Sequence, residues 1–413
     1  MSNVRPLFSF WLLFPAVTMS LGWGLRGFIG GGPLGAMIPG VMVALAVALL
    51  LGRKTDLGWI AACGAIGVGF GGQETYGQTV GLSFQPETFW WAMTGFAIKG
   101  GAWGLLGGIV LGLGLTRAAA KWTKRDVLSG LLLLMGGIWA GRVLINAPKL
   151  VYFSNRVDRP REELWAGLIL GSLLLLGWMT MKGAGRVPPL FALYGTVGGG
   201  IGFALGAAFQ ALGRASGWAP WLDWWKVMEF TFGALLGAAY GWAAYRSRQE
   251  VADRSAAEAG GRSLWFGVGA AALLALIAIG MEDGLDLRFG YTVAGSLLLA
   301  SALYSEAAAW QAAMTVTACS FFLDMVEKPM LRGFPGWAFV AAASIAVAWV
   351  TARRPEPRTM FLVMTWSGVG VSLLKVYLPP AALDPGSASM EAAFVAMGLA
   401  ATWWAVRLTA RSA

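Results

Sequence analysis

The length of its apolar blocks constrains this chain more than any other feature. They run to roughly 17 to 25 residues, the length a helix needs to cross about 30 Å of hydrocarbon, and only short polar stretches separate them. The longest polar insert, residues 245–262, is too short to fold as a soluble domain. Charged residues are 13% of the 413 positions and hydrophobic ones 57%, where a soluble domain has about 25% charged. A water-facing surface cannot be built from that supply. The expected class is therefore all-α and polytopic, with most of the surface facing lipid.

The blocks predict about fourteen transmembrane helices, near residues 7–28, 34–51, 57–80, 88–114, 127–146, 164–181, 187–212, 222–244, 263–280, 289–305, 308–323, 334–352, 359–377 and 390–406. Alternate loops then sort by charge. One set carries Arg5, Arg53, Lys54, Arg117, Lys121, Lys124, Arg125, Lys182, Arg186, Arg246, Arg248, Arg254, Arg262, Arg353, Arg354, Arg358, Arg407 and Arg411. The other set holds far fewer. By the positive-inside rule the first set and both termini are cytoplasmic. The split at Ser305–Glu306 is the weakest boundary, since one long or re-entrant helix also fits there. The first span lies behind Arg5 but has no small-residue cleavage site after it, so it reads as a retained helix. Many of the 22 tryptophans fall near span ends, where indole finds apolar and wet surroundings together.

Glycine spacing points to an internal duplication. Trp23-Gly24-Leu25-Arg26 in span 1 is answered by Trp139-Ala140-Gly141-Arg142 in span 5. Gly64, Gly67, Gly69 and Gly71 in span 3 are answered by Gly195, Gly198, Gly200 and Gly202 in span 7. Gly100, Gly104, Gly108 and Gly112 in span 4 match Gly233, Gly237 and Gly241 in span 8, each set behind a Trp-Trp pair. The expectation is a parallel four-helix repeat, spans 1–4 and 5–8. The domain division follows: 1–126 as the first repeat, 127–262 as the second, and 263–413 as a six-helix C-terminal region. Glycine every fourth residue also leaves a groove in which a neighbouring helix can approach to backbone contact. The run Gly30-Gly31-Gly32-Pro33 is expected to interrupt regular helix, as a simple outer turn or as a re-entrant loop whose free N–H groups bind an anion, and without a Gly-Lys-Ser/Thr ending it is not a phosphate-binding P-loop.

There is no histidine, and the only cysteines are Cys63 and Cys319, both in apolar blocks. That excludes His-based metal and haem sites and the Ser/His/Asp and Cys/His triads. No metal site, cofactor or catalytic residue is assigned. The +10 net charge follows the loops of a membrane protein, so nucleic acid is not an expected partner.

Ionisable residues inside spans are costly and mark candidate sites. They are Arg26 and Arg142, Glu74 in the polar run Gln73-Glu74-Thr75-Tyr76-Gly77-Gln78, Lys99 in span 4 and Glu229 in span 8. The substrate-binding candidates are thus Arg26, Gln73, Glu74, Tyr76, Gln78, Lys99, Arg142 and Glu229, lining a cavity toward the non-cytoplasmic side. The plainer reading pairs Arg26 with Glu74 and Lys99 with Glu229 to hold helix register. Lesser candidates are the acidic loop Glu282, Asp283 and Asp286, the charge cluster Asp324 and Glu327, and a snorkelling Lys375.

These features favour a transporter or flippase-like permeation protein for a small anionic, zwitterionic or lipid-linked substrate, a multi-pass protein of a bacterial cytoplasmic membrane. The first alternative is a membrane-embedded transferase acting on lipid or lipid-linked substrate, with Glu74 or Glu229 as base; no DxxxD or DDxxD motif supports it. The second is a structural subunit of a membrane complex, in which Gly and Trp serve packing alone. Partners are the bilayer and the substrate, and no oligomeric state is assigned.

Overall fold

The structure, a computed structural model, describes residues 7–28, 35–53, 57–72, 74–116, 122–156, 160–218, 221–251, 269, 329–354, 356–378 and 384–410. They form twelve α-helices: α1 (Phe8–Phe28), α2 (Met37–Leu50), α3 (Leu57–Gly71), α4 (Gly77–Ser83), α5 (Phe89–Thr116), α6 (Lys124–Gly141), α7 (Trp165–Met181), α8 (Val187–Ala215), α9 (Trp224–Ser247), α10 (Phe334–Arg353), α11 (Pro357–Tyr377) and α12 (Pro385–Ala410). A π-helical turn, Arg142–Asn146, extends α6.

The described residues form an all-helical bundle, as the composition requires. Six helices are long and apolar enough to cross a membrane on their own: α1, α5, α6 with its π turn, α8, α11 and α12. The expectation of fourteen spans is corrected accordingly. Helix α2, at 14 residues, is about 21 Å long and short of the hydrocarbon thickness. Each of its residues is buried, so it is a core helix wrapped by its neighbours. The span expected over 57–80 is broken, because α3 stops at Gly71 and α4 starts at Gly77. Helix α9 is long enough but carries Lys226 and Glu229 in its first turns. The spans expected at 263–280, 289–305 and 308–323 lie outside the described residues, as do Glu282, Asp283, Asp286, Asp324 and Glu327.

Duplication is corrected as well. The centre of the bundle is α5 packed on α8, with α9 on α8 and α1 on α9, so the dominant contacts join the two supposed halves. Helix α1 lies in this centre, whereas α6, its expected counterpart, pairs with α7 at the edge. The broken α3–α4 has no counterpart in the continuous α8. Glycine content matched because every close helix crossing needs small residues, whatever its ancestry.

The ladders serve those crossings. Helices α5 and α8 meet antiparallel, backbone on backbone. A Cβ added at Gly100 would lie 2.3 Å from the Gly199 carbonyl oxygen, and one at Gly104 1.9 Å from that of Gly195. Both distances are far below contact, so only glycine permits this approach. A second close crossing has a cause in α1. Pro15 lacks the N–H that the Trp11 carbonyl would otherwise accept, and that carbonyl faces Gly241, where an added Cβ would lie 1.8 Å away.

Four of the Arg/Lys-rich loops touch one another at one end of the bundle, here the basic end. Arg53 donates to the Val251 carbonyl at 2.8 Å, Lys182 pairs with Asp126 at 2.9 Å, and Arg186 donates to Glu250 at 2.6 Å. The candidate site lies toward the opposite, far end.

Candidate functional site

The interruption between α3 and α4 positions the first cluster. Gly71-Gly72 favours stopping a helix, and the carbonyls this frees are taken up by α5. Trp103 donates its indole N–H to the Val68 carbonyl at 2.7 Å, and Lys99 Nζ donates to the Thr75 carbonyl at 2.6 Å. Lys99 has no solvent exposure. Its ammonium also reaches the Thr79 hydroxyl at 3.0 Å, Glu74 Oε1 at 3.2 Å and Glu163 Oε1 at 2.8 Å. One buried cation thus stands between two buried carboxylates.

Glu163 arrives on the loop between α6 and α7, which turns inward instead of lying over the surface. Its carboxylate accepts the Phe153 N–H at 3.1 Å and the Ser154 hydroxyl at 2.8 Å. Phe153 is fully buried against Gly95 of α5. The same loop seals the interruption. Leu164 N–H donates to Glu74 Oε2 at 2.7 Å, and the Thr75 hydroxyl donates to the Glu162 carbonyl at 3.0 Å. These bonds satisfy backbone and carboxylate groups that would otherwise be buried unpaired.

A second cluster lies beside the first and is linked to it by Tyr76. Arg26 donates to the Tyr76 hydroxyl at 3.2 Å, and its guanidinium lies 5.2 Å from the Trp23 ring centroid and 5.6 Å from that of Trp103. Trp23, Trp103, Phe203 and Phe232 pack edge-on and tilted beneath it. Cation–π attraction strengthens when the cation is desolvated. Glu229 lies within electrostatic range of both Arg26 and Tyr76. It pairs with Lys226 at 2.6 Å and accepts the Trp225 indole N–H at 3.1 Å. Both members of the Lys226–Glu229 pair are buried against the bare backbone of Gly27, where an added Cβ would lie 2.2 Å from Glu229 Oε1.

The pairing expected from the sequence is exchanged: Lys99 holds Glu74 and Glu163 rather than Glu229, and Arg26 holds Tyr76. Arg142 is elsewhere, half-exposed and paired with Glu162 at the end of α6. It shares neither surroundings nor role with Arg26. Gln78 sits at the rim, with the Arg161 N–H 3.4 Å from its side-chain oxygen. Gln73 lies outside the described residues. Of the eight candidates, Glu74 and Lys99 share one cluster and Arg26, Tyr76 and Glu229 the other.

Glu163, Lys226 and Glu391 are buried charges that the sequence reading did not single out. Glu163 falls between the expected spans 127–146 and 164–181, one residue before the second, where a small boundary shift buries it. Lys226 lies three residues before Glu229, one helical turn away, a spacing that signals an ion pair. Glu391 in α12 is buried and accepts the Ser372 hydroxyl of α11 at 2.6 Å. Its polar surroundings have no periodic signal.

At the far end, the ends of α4, α8, α9 and α12 border an open cavity of about 480 Å³. Gln210, Arg214, Asp223, Trp224, Trp225 and Asp384 line it. Asp223 caps α9, accepting Trp225 N–H at 2.9 Å and Lys226 N–H at 3.3 Å. Asp384 stands before α12, and the Ser387 hydroxyl and N–H hold its carboxyl below the usual carboxylate range, so it stays ionised at neutral pH. Trp225 forms the partition. One side of it lines the cavity, its N–H reaches Glu229, and its ring lies 5.8 Å from that of Tyr76.

Compared with protein families, curated proteins and solved structures, the chain has no match in any of the three. The site therefore stands on its own geometry. Among the described residues no group of three or more His, Cys, Asp or Glu is placed to hold a metal ion.

Proposed function

We propose that this chain is a multi-pass transport protein of a bacterial cytoplasmic membrane that moves a small anionic or zwitterionic solute. The observation that carries the reading is the interrupted helix. Between α3, which ends at Gly71, and α4, which begins at Gly77, the helix is interrupted among membrane-length helices, and the Thr75 carbonyl and the Glu74 carboxylate turn toward Lys99. Non-helical backbone at such depth is tolerated where it is buried in protein or lines a cavity, and discontinuous helices are where transporters hold substrates and coupling ions. The two clusters add a charge argument. Glu74 and Glu163 around one ammonium leave room for one further positive charge, a proton or a cation. The Arg26–Tyr76–Glu229–Lys226 group lies under Trp225, at the floor of the far-end cavity. Exchanging such pairs for substrate is a way to bind and release a charged solute inside a bundle.

Reconstitution into proteoliposomes tests this. Solid-supported-membrane currents are recorded as amino acids, small carboxylates and phosphate monoesters are applied with and without a pH gradient. A saturable current that Glu163→Gln abolishes, in protein that still elutes as a single species, supports transport. Folded protein that passes none of these solutes, and whose melting none of them shifts, counts against it.

A further inference from the structure

We propose that the far-end cavity is a binding site for a small zwitterion carrying a primary ammonium group and an acid group. Its volume, about 480 Å³, is in the range of small-molecule sites. Its polar groups are of both signs and stand apart from one another. Arg214 rests on the Phe84 ring, 4.3 Å from its centroid, and meets no carboxylate among the described residues. Asp223 spends one carboxylate oxygen on capping α9, and its other oxygen makes no hydrogen bond among the described residues. Asp384 adds a second negative charge across the cavity.

Gln210 indicates what fills the space between them. Its side chain lines the cavity, is only 6% exposed, and its Oε1 has no hydrogen-bond partner among the described residues. That oxygen is itself shielded from solvent; a buried acceptor left without a donor is costly, so the amide gains by turning its oxygen to an occupant that bears N–H groups. A simple anion would meet two carboxylates and leave Gln210 unsatisfied. A simple cation would leave Arg214 without a counter-charge. A molecule with an ammonium at one end and an acid at the other meets the three unpartnered groups together, N–H to Gln210 and Asp223 and acid group to Arg214, while Asp384 is already held by Ser387. Two sources supply this chemistry, an α-amino acid in solution and the phosphoethanolamine headgroup of a lipid. Trp224, Trp225, Leu222 and Met390 supply apolar wall, and through Trp225 the occupant adjoins Glu229. The inference deepens the transport reading by naming the class of solute at its entrance, but the binding itself requires no movement across the membrane.

The test measures equilibrium binding by tryptophan fluorescence and thermal shift on the full chain. The soluble probes are glycine and O-phosphoethanolamine. The lipid probes are nanodiscs of phosphatidylethanolamine against phosphatidylcholine, which has the same charges but no N–H on its ammonium. Variants are Gln210→Met, Arg214→Gln and Asp223→Asn; asparagine caps a helix about as well as aspartate, so α9 keeps its start. Saturable binding of a soluble zwitterion, weakened about tenfold or more in all three variants, identifies a solute site. Stabilisation by phosphatidylethanolamine only, lost in the same variants, identifies a headgroup site. Methylamine or acetate binding as well as glycine, or wild type and folded variants binding every probe alike, overturns the proposal. Binding that persists without any flux overturns transport and leaves this site standing. Flux of another solute with no zwitterion bound does the reverse.

Discussion

Replacing Lys99 with methionine exposes what the first cluster contributes. Lysine and methionine have similar unbranched stems, so packing in α5 changes little, but the ammonium and its four partners are lost. Glu74 and Glu163 are then left facing each other, each buried. Breaking a buried pair by removing one partner costs about 3–5 kcal/mol. With an unfolding entropy of about 2.1 cal/mol/K per residue, 413 residues give roughly 0.9 kcal/mol/K, so Lys99→Met lowers the melting temperature by roughly 3–6 °C. The assay is intrinsic tryptophan fluorescence during heating in mild detergent. A second variant separates charge from shape: Lys99→Met combined with Glu74→Gln and Glu163→Gln. Glutamine keeps an acceptor for the Leu164 and Phe153 N–H groups, so this neutral set recovers much of the loss. A single variant melting within about 1 °C of wild type, or a triple variant melting below the single, refutes the account of Lys99 as the charge that holds two buried carboxylates.

Other consequences are equally direct. Gly104→Ala places a methyl 1.9 Å from the Gly195 carbonyl, and overpacking of this kind costs about 1–3 kcal/mol. Gly136→Ala and Gly177→Ala, which would touch nothing within 4 Å, are neutral or slightly stabilising in the same melting assay. Thr123→Ala removes the reciprocal cap with Asp126 at the start of α6 and costs about 1 kcal/mol, read as a lower melting temperature; no change would show that α6 does not unfold with the rest. Tyr76→Phe deletes the hydroxyl between Arg26 and Glu229. It slows the proteoliposome current while leaving binding at the far-end cavity within about twofold, a factor worth under 0.5 kcal/mol; an unchanged current would remove Tyr76 from the path.

Part of the site was readable in advance and part was not, and particular residues show why. Lys99, Glu74, Arg26 and Glu229 stood out because a charge within an apolar run is conspicuous wherever it ends up. Their partners did not, because pairing depends on which helices become neighbours. Arg26 and Arg142 have matching local motifs, yet one is wedged among indole rings in the centre and the other pairs with Glu162 at the edge. Glu163 looked like a loop residue and became an internal carboxylate, since the loop carrying it folds inward onto Lys99.

From its order of residues alone, then, this chain is helical and apolar enough for a bilayer, with a handful of charges and a polar run at 73–79 inside an expected span. Hydrophobic run length and charge scarcity are local quantities, and they determine class without reference to neighbours. The tertiary structure alone decided that α5 and α8 share the centre, that the helix breaks at Gly71, and that Lys99 sits between Glu74 and Glu163. Those outcomes depend on backbone approach and on satisfying every buried polar group at once, conditions set by residues far apart in the chain.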